Sequence, residues 1–211
     1  MTQRIGLFGG TFDPVHIGHM NACRQIVAEL DLSSLAMIPA FQPVHKQLPD
    51  VTSEHRLEML SLACENDALI TCDDREIRRG GPSYTLLTLK EYRIQHPQAC
   101  LYFIMGMDAL NTFDSWYHWQ EFLDYSNLII VERPGLTQNF SNDIKSLLDK
   151  FTTESISSLQ AAKSGLIYCS KRAMLEFSST EVRQSITNPD EISRMLPEKV
   201  LNYIHDHKLY R

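Results

Sequence analysis

Short apolar runs alternate along the chain with stretches in which apolar residues recur every three or four positions. The first run, residues 4–8, reads as a strand. Residues 19–30 read as a helix with Met20, Cys23, Ile26, Val27 and Leu30 on one face. A second strand spans 35–38, ended by Pro39, and a loop with Pro43 and Pro49 follows. Residues 53–66 have helical spacing at Leu57, Leu60 and Cys64, with Ser53 as their cap. A third strand is expected at 69–72, a charged glycine-bearing loop at 73–82, and a helix from about 83 to 95. Strands at 101–105 and 128–131 enclose an aromatic stretch, 113–122, read as two short helices. Residues 166–169 form a sixth strand, and helices at 180–186 and 197–208 end the pattern.

Strands with continuous apolar runs are buried on both faces, and helices between them imply parallel pairing with right-handed crossovers. The expected fold is α/β, a Rossmann-like three-layer αβα sandwich around a mostly parallel sheet. One domain accounts for residues 1–211. The polar stretch 136–164, with one helical pattern at Ile144, Leu147, Leu148 and Phe151, reads as a surface insertion, and 178–211 as a C-terminal helical portion. Ligands of such sheets bind beyond the carboxyl ends of the strands, where strand order reverses.

Composition narrows the function classes. The 211 residues are 43% hydrophobic and 22% charged, with a net charge of −6. That charge argues against sequence-independent nucleic-acid binding, which needs a basic face. The longest apolar runs fall far short of the ~20 residues of a membrane span, and no secretion signal is recognisable. The five cysteines are scattered without a Cys-x-x-Cys pair, which suits a reducing cytoplasm better than a disulfide framework.

The chemistry concentrates in residues 9–19, GGTFDPVHIGH. Gly9 and Gly10 follow the first strand and allow close approach of backbone N–H groups to a ligand. Thr11 and Phe12 complete the turn. His16 and His19 flank Gly18 where the helix begins, adding compact donors to a helix N-terminus with its positive dipole end. This reads as a phosphate cradle, in preference to a bare turn or a two-histidine metal site, for which no third ligand lies nearby. Neither a Gly-x-x-x-x-Gly-Lys-Ser/Thr loop nor a Gly-x-Gly-x-x-Gly turn is present, so P-loop and dinucleotide-dehydrogenase readings lose support.

The string His16-Ile17-Gly18-His19 resembles the HIGH element of nucleotidyltransferases and class I aminoacyl-tRNA synthetases. The synthetase reading lacks a lysine-rich signature loop and a tRNA-binding domain. Further along stand Pro43-Val44-His45-Lys46, Pro82-Ser83-Tyr84-Thr85, Gly106-Met107-Asp108, Trp116-Tyr117, Arg133-Pro134 and Ser178-Ser179-Thr180-Glu181-Val182-Arg183. In this order they resemble the bacterial nicotinate-nucleotide adenylyltransferases, over residues 5–211. Phe177 departs from the family pattern, where a branched aliphatic is usual.

The resemblance implies transfer of an adenylyl group from ATP, accompanied by Mg²⁺, to the 5′-phosphate of nicotinate mononucleotide. The phosphate is an ionised nucleophile and needs no general base, so catalysis rests on alignment and charge stabilisation. By resemblance, His16, His19, Lys46 and Arg183 are catalytic. Gly9, Gly10, Thr11, Phe12, Gly106, Asp108, Ser179 and Thr180 join His16, His19 and Arg183 around ATP. The mononucleotide falls to Thr11, His45, Lys46, Ser83, Tyr84, Thr85, Asp108, Trp116, Tyr117 and Arg133, with Trp116 stacking on the pyridine ring.

From the residues alone, Ser179 or Thr180 could be a plain helix cap, Asp108 the cap of a following helix, and Lys46 and Arg133 solvated charges. Thr85 and Tyr117 open helices and no acidic side chain is evident beside them, which favours an acid over an amide on the pyridine. Rival readings are a phosphopantetheine adenylyltransferase, a cytidylyltransferase, use of nicotinamide mononucleotide, or a nucleotide-binding module without activity. Assembly as a homo-oligomer is left open.

Overall fold

The computed structural model describes residues 2–44, 49–132, 138–171 and 177–210. Six parallel strands form one sheet: β1 (Arg4–Gly10), β2 (Ser34–Pro39), β3 (Ile70–Cys72), β4 (Cys100–Gly106), β5 (Asn127–Val131) and β6 (Ile167–Ser170). Helices separate them: α1 (Ile17–Leu30), α2 (Ser53–Cys64), α3 (Arg75–Arg79), α4 (Thr85–Gln95), α5 (Met107–Leu110) and α6 (Phe122–Tyr125). Two 3₁₀ turns, Phe113–Ser115 and Trp119–Glu121, lie between α5 and α6. Then come α7 (Asn142–Phe151), α8 (Ile156–Ala161), α9 (Ser179–Gln184), α10 (Pro189–Ile192) and α11 (Glu198–Asp206).

Strand order is β3-β2-β1-β4-β5-β6. The chain winds outward from β1 to one edge and then from β4 to the other. Strand order therefore reverses between β1 and β4, the crevice where doubly wound sheets bind ligands. Successive residues of a strand serve opposite layers. On β4, Tyr102 and Ile104 join Met20, Cys23 and Ile26 of α1, Met59 and Leu60 of α2, and Val200 and Ile204 of α11. Leu101, Phe103 and Met105 face Leu86 and Leu89 of α4, Leu110 of α5, Phe113 of the first 3₁₀ turn and Ile144 of α7. The three-layer sandwich expected from the pattern is present.

Several local readings need correction. β1 runs through Gly9 and Gly10, which pair with Ile38 and Pro39, instead of stopping at Phe8. α1 begins at Ile17 with His16 at its N-cap position. The cap position of α2 is Thr52, and Ser53 is the first helical residue, buried. The expected loop at 73–82 contains α3, whose Glu76 side chain turns inward. The stretch read as a surface insertion supplies α7 and α8 to the β5–β6 crossover. There it buries Ile144 and Leu159, and Tyr102 donates its hydroxyl proton to the Leu159 carbonyl at 3.2 Å. A parallel pair requires such a crossover, so these residues belong to the framework.

Candidate active site

The carboxyl end of β1 turns into α1 through residues 11–16. Phe12 adopts φ 50° with its ring buried. That left-handed conformation is costly for a bulky residue. It is stabilised by ring burial and by Gly10, where a Cβ would stand 2.9 Å from Phe12 Cζ. The ring meets His19 edge-on, centroids 5.1 Å apart at 81°. His16 is fully buried, and its ring lies against that of His19 at 3.6 Å and 31°. The His16 N–H donates to His19 Nδ1 at 3.3 Å. In the neutral ring the His19 proton therefore sits on Nε2, making that nitrogen a donor. The two histidines thus stand side by side at the first turn of α1.

The C-terminal helices close one side of this turn. Ile17 N–H donates to the Met195 carbonyl at 2.8 Å, and Ser179 Oγ to the Pro14 carbonyl at 3.0 Å. Arg183 Nη1 donates to the Asp13 carbonyl at 2.7 Å, and its Nε pairs with Asp50 Oδ2 at 2.7 Å. The guanidinium is therefore beside the cradle. Ser178 is the cap of α9, in a reciprocal box with Glu181, so neither Ser179 nor Thr180 has that role. Thr180 is exposed on the first turn.

On the far side of β4, Gly106 occupies the N-cap position of α5, and Asp108 lies exposed within its first turn. Asp108 is thus not the cap. A Cβ on Gly106 would collide with Asp108 Oδ1, so the glycine lets the carboxylate fold back toward the strand end. Ser83, Tyr84, Thr85, Trp116, Tyr117 and Phe122 line one small pocket. The Tyr84 and Tyr117 rings are 4.5 Å apart at 32°, and Trp116 packs edge-on against Phe113 at 5.6 Å. Ser83 Oγ accepts from the Phe41 N–H at 2.9 Å, so this hydroxyl holds the loop after β2. Tyr84 takes the N-cap position of α4 and Thr85 is its first residue.

His45, Lys46 and Arg133 lie outside the described residues. The other expected residues fall on the two sides of the β1–β4 crevice. Gly9, Gly10, His16, His19 and Arg183 gather at β1–α1, Gly106 and Asp108 stand at the end of β4, and the aromatic pocket forms at α4 and the 3₁₀ turns.

Four residues at the site were not anticipated. Asp13 is buried and receives the Tyr210 hydroxyl proton at 2.8 Å on Oδ1 and the Asp50 N–H at 2.8 Å on Oδ2. Arg56, 1% exposed, donates to the Thr11, Ala40 and Phe41 carbonyls. Burial pulls its pKa down from the ordinary range, and Asp13 opposes that shift. A signal for Arg56 existed, since it falls one turn before Met59 and Leu60 on the apolar face of α2. No such periodic signal marks Tyr210, Asp13 or Asp50.

The expected lack of an acid near Thr85 also needs revision. Glu76 is buried under α4, accepts from Thr88 Oγ1 at 2.6 Å and lies 3.7 Å from Arg79. Burial raises its pKa, and the hydrogen bonds of Thr88 and Ser83 work against that rise.

Residues 7–185 match the cytidylyltransferase-like family. A relative from Psychromonas ingrahamii is 39% identical, covering 99% of this chain and 98% of its own. One from Klebsiella pneumoniae is 38% identical, with 100% and 98% covered. Both carry the name "probable nicotinate-nucleotide adenylyltransferase". Among solved structures, a Plasmodium falciparum nicotinic acid mononucleotide adenylyltransferase complexed with NaAD superimposes with a TM-score of 0.75 at 21% identity. It covers 99% of this chain and 97% of that one. At that identity the likeness speaks for the fold. The match over most of the length and the close curated relatives show that this chain belongs to the cytidylyltransferase-like family, among the nicotinate-nucleotide adenylyltransferases.

Proposed function

We propose that this chain joins ATP and nicotinate mononucleotide into nicotinate adenine dinucleotide and pyrophosphate, a step of NAD biosynthesis. A 5′-phosphate oxygen of the mononucleotide attacks the α-phosphorus of ATP, and the bond from that phosphorus to the bridging oxygen of pyrophosphate breaks. The observation that carries the reading is the juxtaposition of the histidine cradle and the aromatic pocket across the β1–β4 reversal point. In-line transfer between two anions needs placement and charge stabilisation more than proton transfer.

In this reading His16 and His19 donate to the ATP phosphates, with the N–H groups following Gly9, Gly10, Thr11 and Phe12. Arg183 holds the β- and γ-phosphates with its forked donors, flanked by Ser179 and Thr180. Gly106 and Asp108 serve the ribose at the β4 end. Trp116, with Tyr84 and Tyr117, receives the pyridine ring, and Ser83 and Thr85 shape its surroundings. His45, Lys46 and Arg133 are assigned to the mononucleotide side. ATP enters as its Mg²⁺ complex. Magnesium keeps several waters and binds through phosphates, and among the described residues no group of three His, Cys, Asp or Glu could hold it.

The acid is preferred over the amide because Thr85 opens α4, where a negative charge is stabilised. Tyr117, expected to open a helix as well, instead precedes His118, the N-cap of the second 3₁₀ turn. The carboxylate of Glu76 is already engaged by Thr88 and Arg79. No helix among the described residues is long and apolar enough to cross a membrane, and we place the enzyme in the cytoplasm. The deciding assay follows pyrophosphate release from ATP and Mg²⁺ with nicotinate mononucleotide, nicotinamide mononucleotide or phosphopantetheine. Release is expected with the first, with kcat/KM at least ~10-fold lower for the amide. Near-equal values would sink the acid preference, and silence with every acceptor would leave a nucleotide-binding module.

A further inference from the structure

A buried arginine outside every motif joins the two halves of the crevice. Arg56 Nη1 donates to the Thr11 carbonyl at 2.8 Å, in the histidine cradle, and to the Ala40 carbonyl at 2.6 Å. Its Nη2 donates to the Phe41 carbonyl at 3.1 Å. The Ala40 N–H in turn donates to the Gly10 carbonyl at 2.9 Å. From Phe41 the connection continues to the aromatic side. The Phe41 N–H reaches Ser83 Oγ at 2.9 Å, the Ser83 N–H reaches the Gln42 carbonyl at 2.9 Å, and Gln42 pairs with Pro82 as a parallel bridge. An unbroken series of hydrogen bonds therefore runs from the cradle through Arg56 and the β2 loop to the residues that open α4.

We propose that Arg56 is a positioning residue that sets the spacing between the nucleotide-holding turn and the acceptor pocket. The inference rests on the adenylyl-transfer reading given above. Its physical basis is the planar guanidinium, which offers donors in a fixed fork and can hold several carbonyls at set angles. A lysine has the charge without the fork. Burial matters as well: at 1% exposure the side chain has few alternative rotamers, so the carbonyls it holds are fixed relative to one another. Attack of one phosphate on another is sensitive to such placement, and an error of about 1 Å can cost about 100-fold in rate.

The plainer account is a staple that only stabilises the fold. Arg93 supplies the comparison. It donates to the Tyr125, Ala99 and Lys163 carbonyls at the opposite, amino-terminal end of the sheet. Steady-state kinetics and melting curves on Arg56→Met, Arg56→Lys and Arg93→Met separate the two accounts. Arg56→Met is expected to lower kcat about 10- to 100-fold, with the KM for ATP and for nicotinate mononucleotide each within about threefold of wild type. Arg56→Lys recovers part of that loss. Arg93→Met melts at a lower temperature and keeps wild-type kcat.

A folded Arg56→Met protein with wild-type kcat overturns the proposal, as does one in which both KM values rise while kcat holds. Should Arg56→Met not fold, Arg56→Lys decides by the same split. A wild-type enzyme silent with every acceptor overturns the adenylyl-transfer reading and takes this inference with it. An active wild type with indifferent variants overturns this inference alone.

Discussion

Arg183 carries an ion pair with which ATP competes in the proposed reading. Its Nε lies 2.7 Å from Asp50 Oδ2, with the carboxylate side chain 59% exposed. Exposed pairs of this kind contribute about 0.2–1 kcal/mol, so incoming phosphates can displace the aspartate at small cost. Asp50→Asn removes the competitor and keeps the Asp50 N–H that donates to Asp13. The expected result is a KM for ATP lowered about 1.4- to 5-fold with kcat unchanged. An unchanged KM would show that Arg183 does not meet the phosphates. His19→Ala tests the cradle more severely. Loss of a donor aimed at developing charge costs about 100- to 1,000-fold in kcat. The same change removes the acceptor for the His16 N–H, a cap worth about 1 kcal/mol. Melting should therefore fall by roughly 2–4 °C for a chain of this size, and a variant that loses stability yet keeps kcat would reduce His19 to a cap.

At the scale of elements, the strands and long helices were legible because burial on both faces leaves apolar runs and helical burial leaves a 3.6-residue period. The apolar signal of β1 stops at Phe8 because glycines carry none, yet Gly9 and Gly10 pair with β2 through their backbone. In the sequence α3 reads as a loop because its five residues, Arg75–Arg79, are nearly all charged. They are held by ion pairs such as Arg79 with Glu91 at 2.8 Å, which depend on α4 and leave no local trace. The crossover at 142–161 looked peripheral because only Ile144 and Leu159 are buried there. At the site, the motifs marked His16, His19, Ser179 and Arg183, whereas the Asp13–Tyr210 contact spans 197 positions and was invisible. Trp116 tests what the motifs named. The Tyr84 and Tyr117 rings, 4.5 Å apart, leave no space for a third ring between them, so under the proposed reading the pyridine stacks on Trp116 or moves Tyr117. Trp116→Ala should raise the KM for nicotinate mononucleotide about 2- to 12-fold and leave that for ATP alone. A parallel rise in both would assign the indole to packing.

Over the whole molecule, burial of thiols and phenols predicts a fold sensitive to alkali. Burial is the first cause of a raised pKa at Cys23, at Cys64 (to about 12), at Cys72 (to about 11) and at Cys169. It does the same at Tyr92, Tyr102 and Tyr210, reinforced at Tyr92 and Tyr210 by the carboxylates of Asp73 and Asp13. In each case the folded state holds its proton beyond the pH at which the unfolded chain releases it. Stability is then fully present below the ordinary pKa, about 8.5 for thiols and 10 for phenols, and is lost as pH rises toward the folded value. Each such group removes up to about 1.4 kcal/mol per pH unit within its window. With total stability of about 5–15 kcal/mol, several groups acting together are expected to remove a large share of it. The urea midpoint should therefore be flat to about pH 8.5, decline beyond it and steepen above about 10 as the tyrosines join. Cys72, only partly buried at the end of β3, allows the cause to be isolated, because its removal leaves little cavity. Cys72→Ala should flatten the decline between pH 9 and 11 by one group's share. A midpoint constant to pH 10.5, or a decline indifferent to Cys72, would place the alkaline limit elsewhere than in the buried thiols.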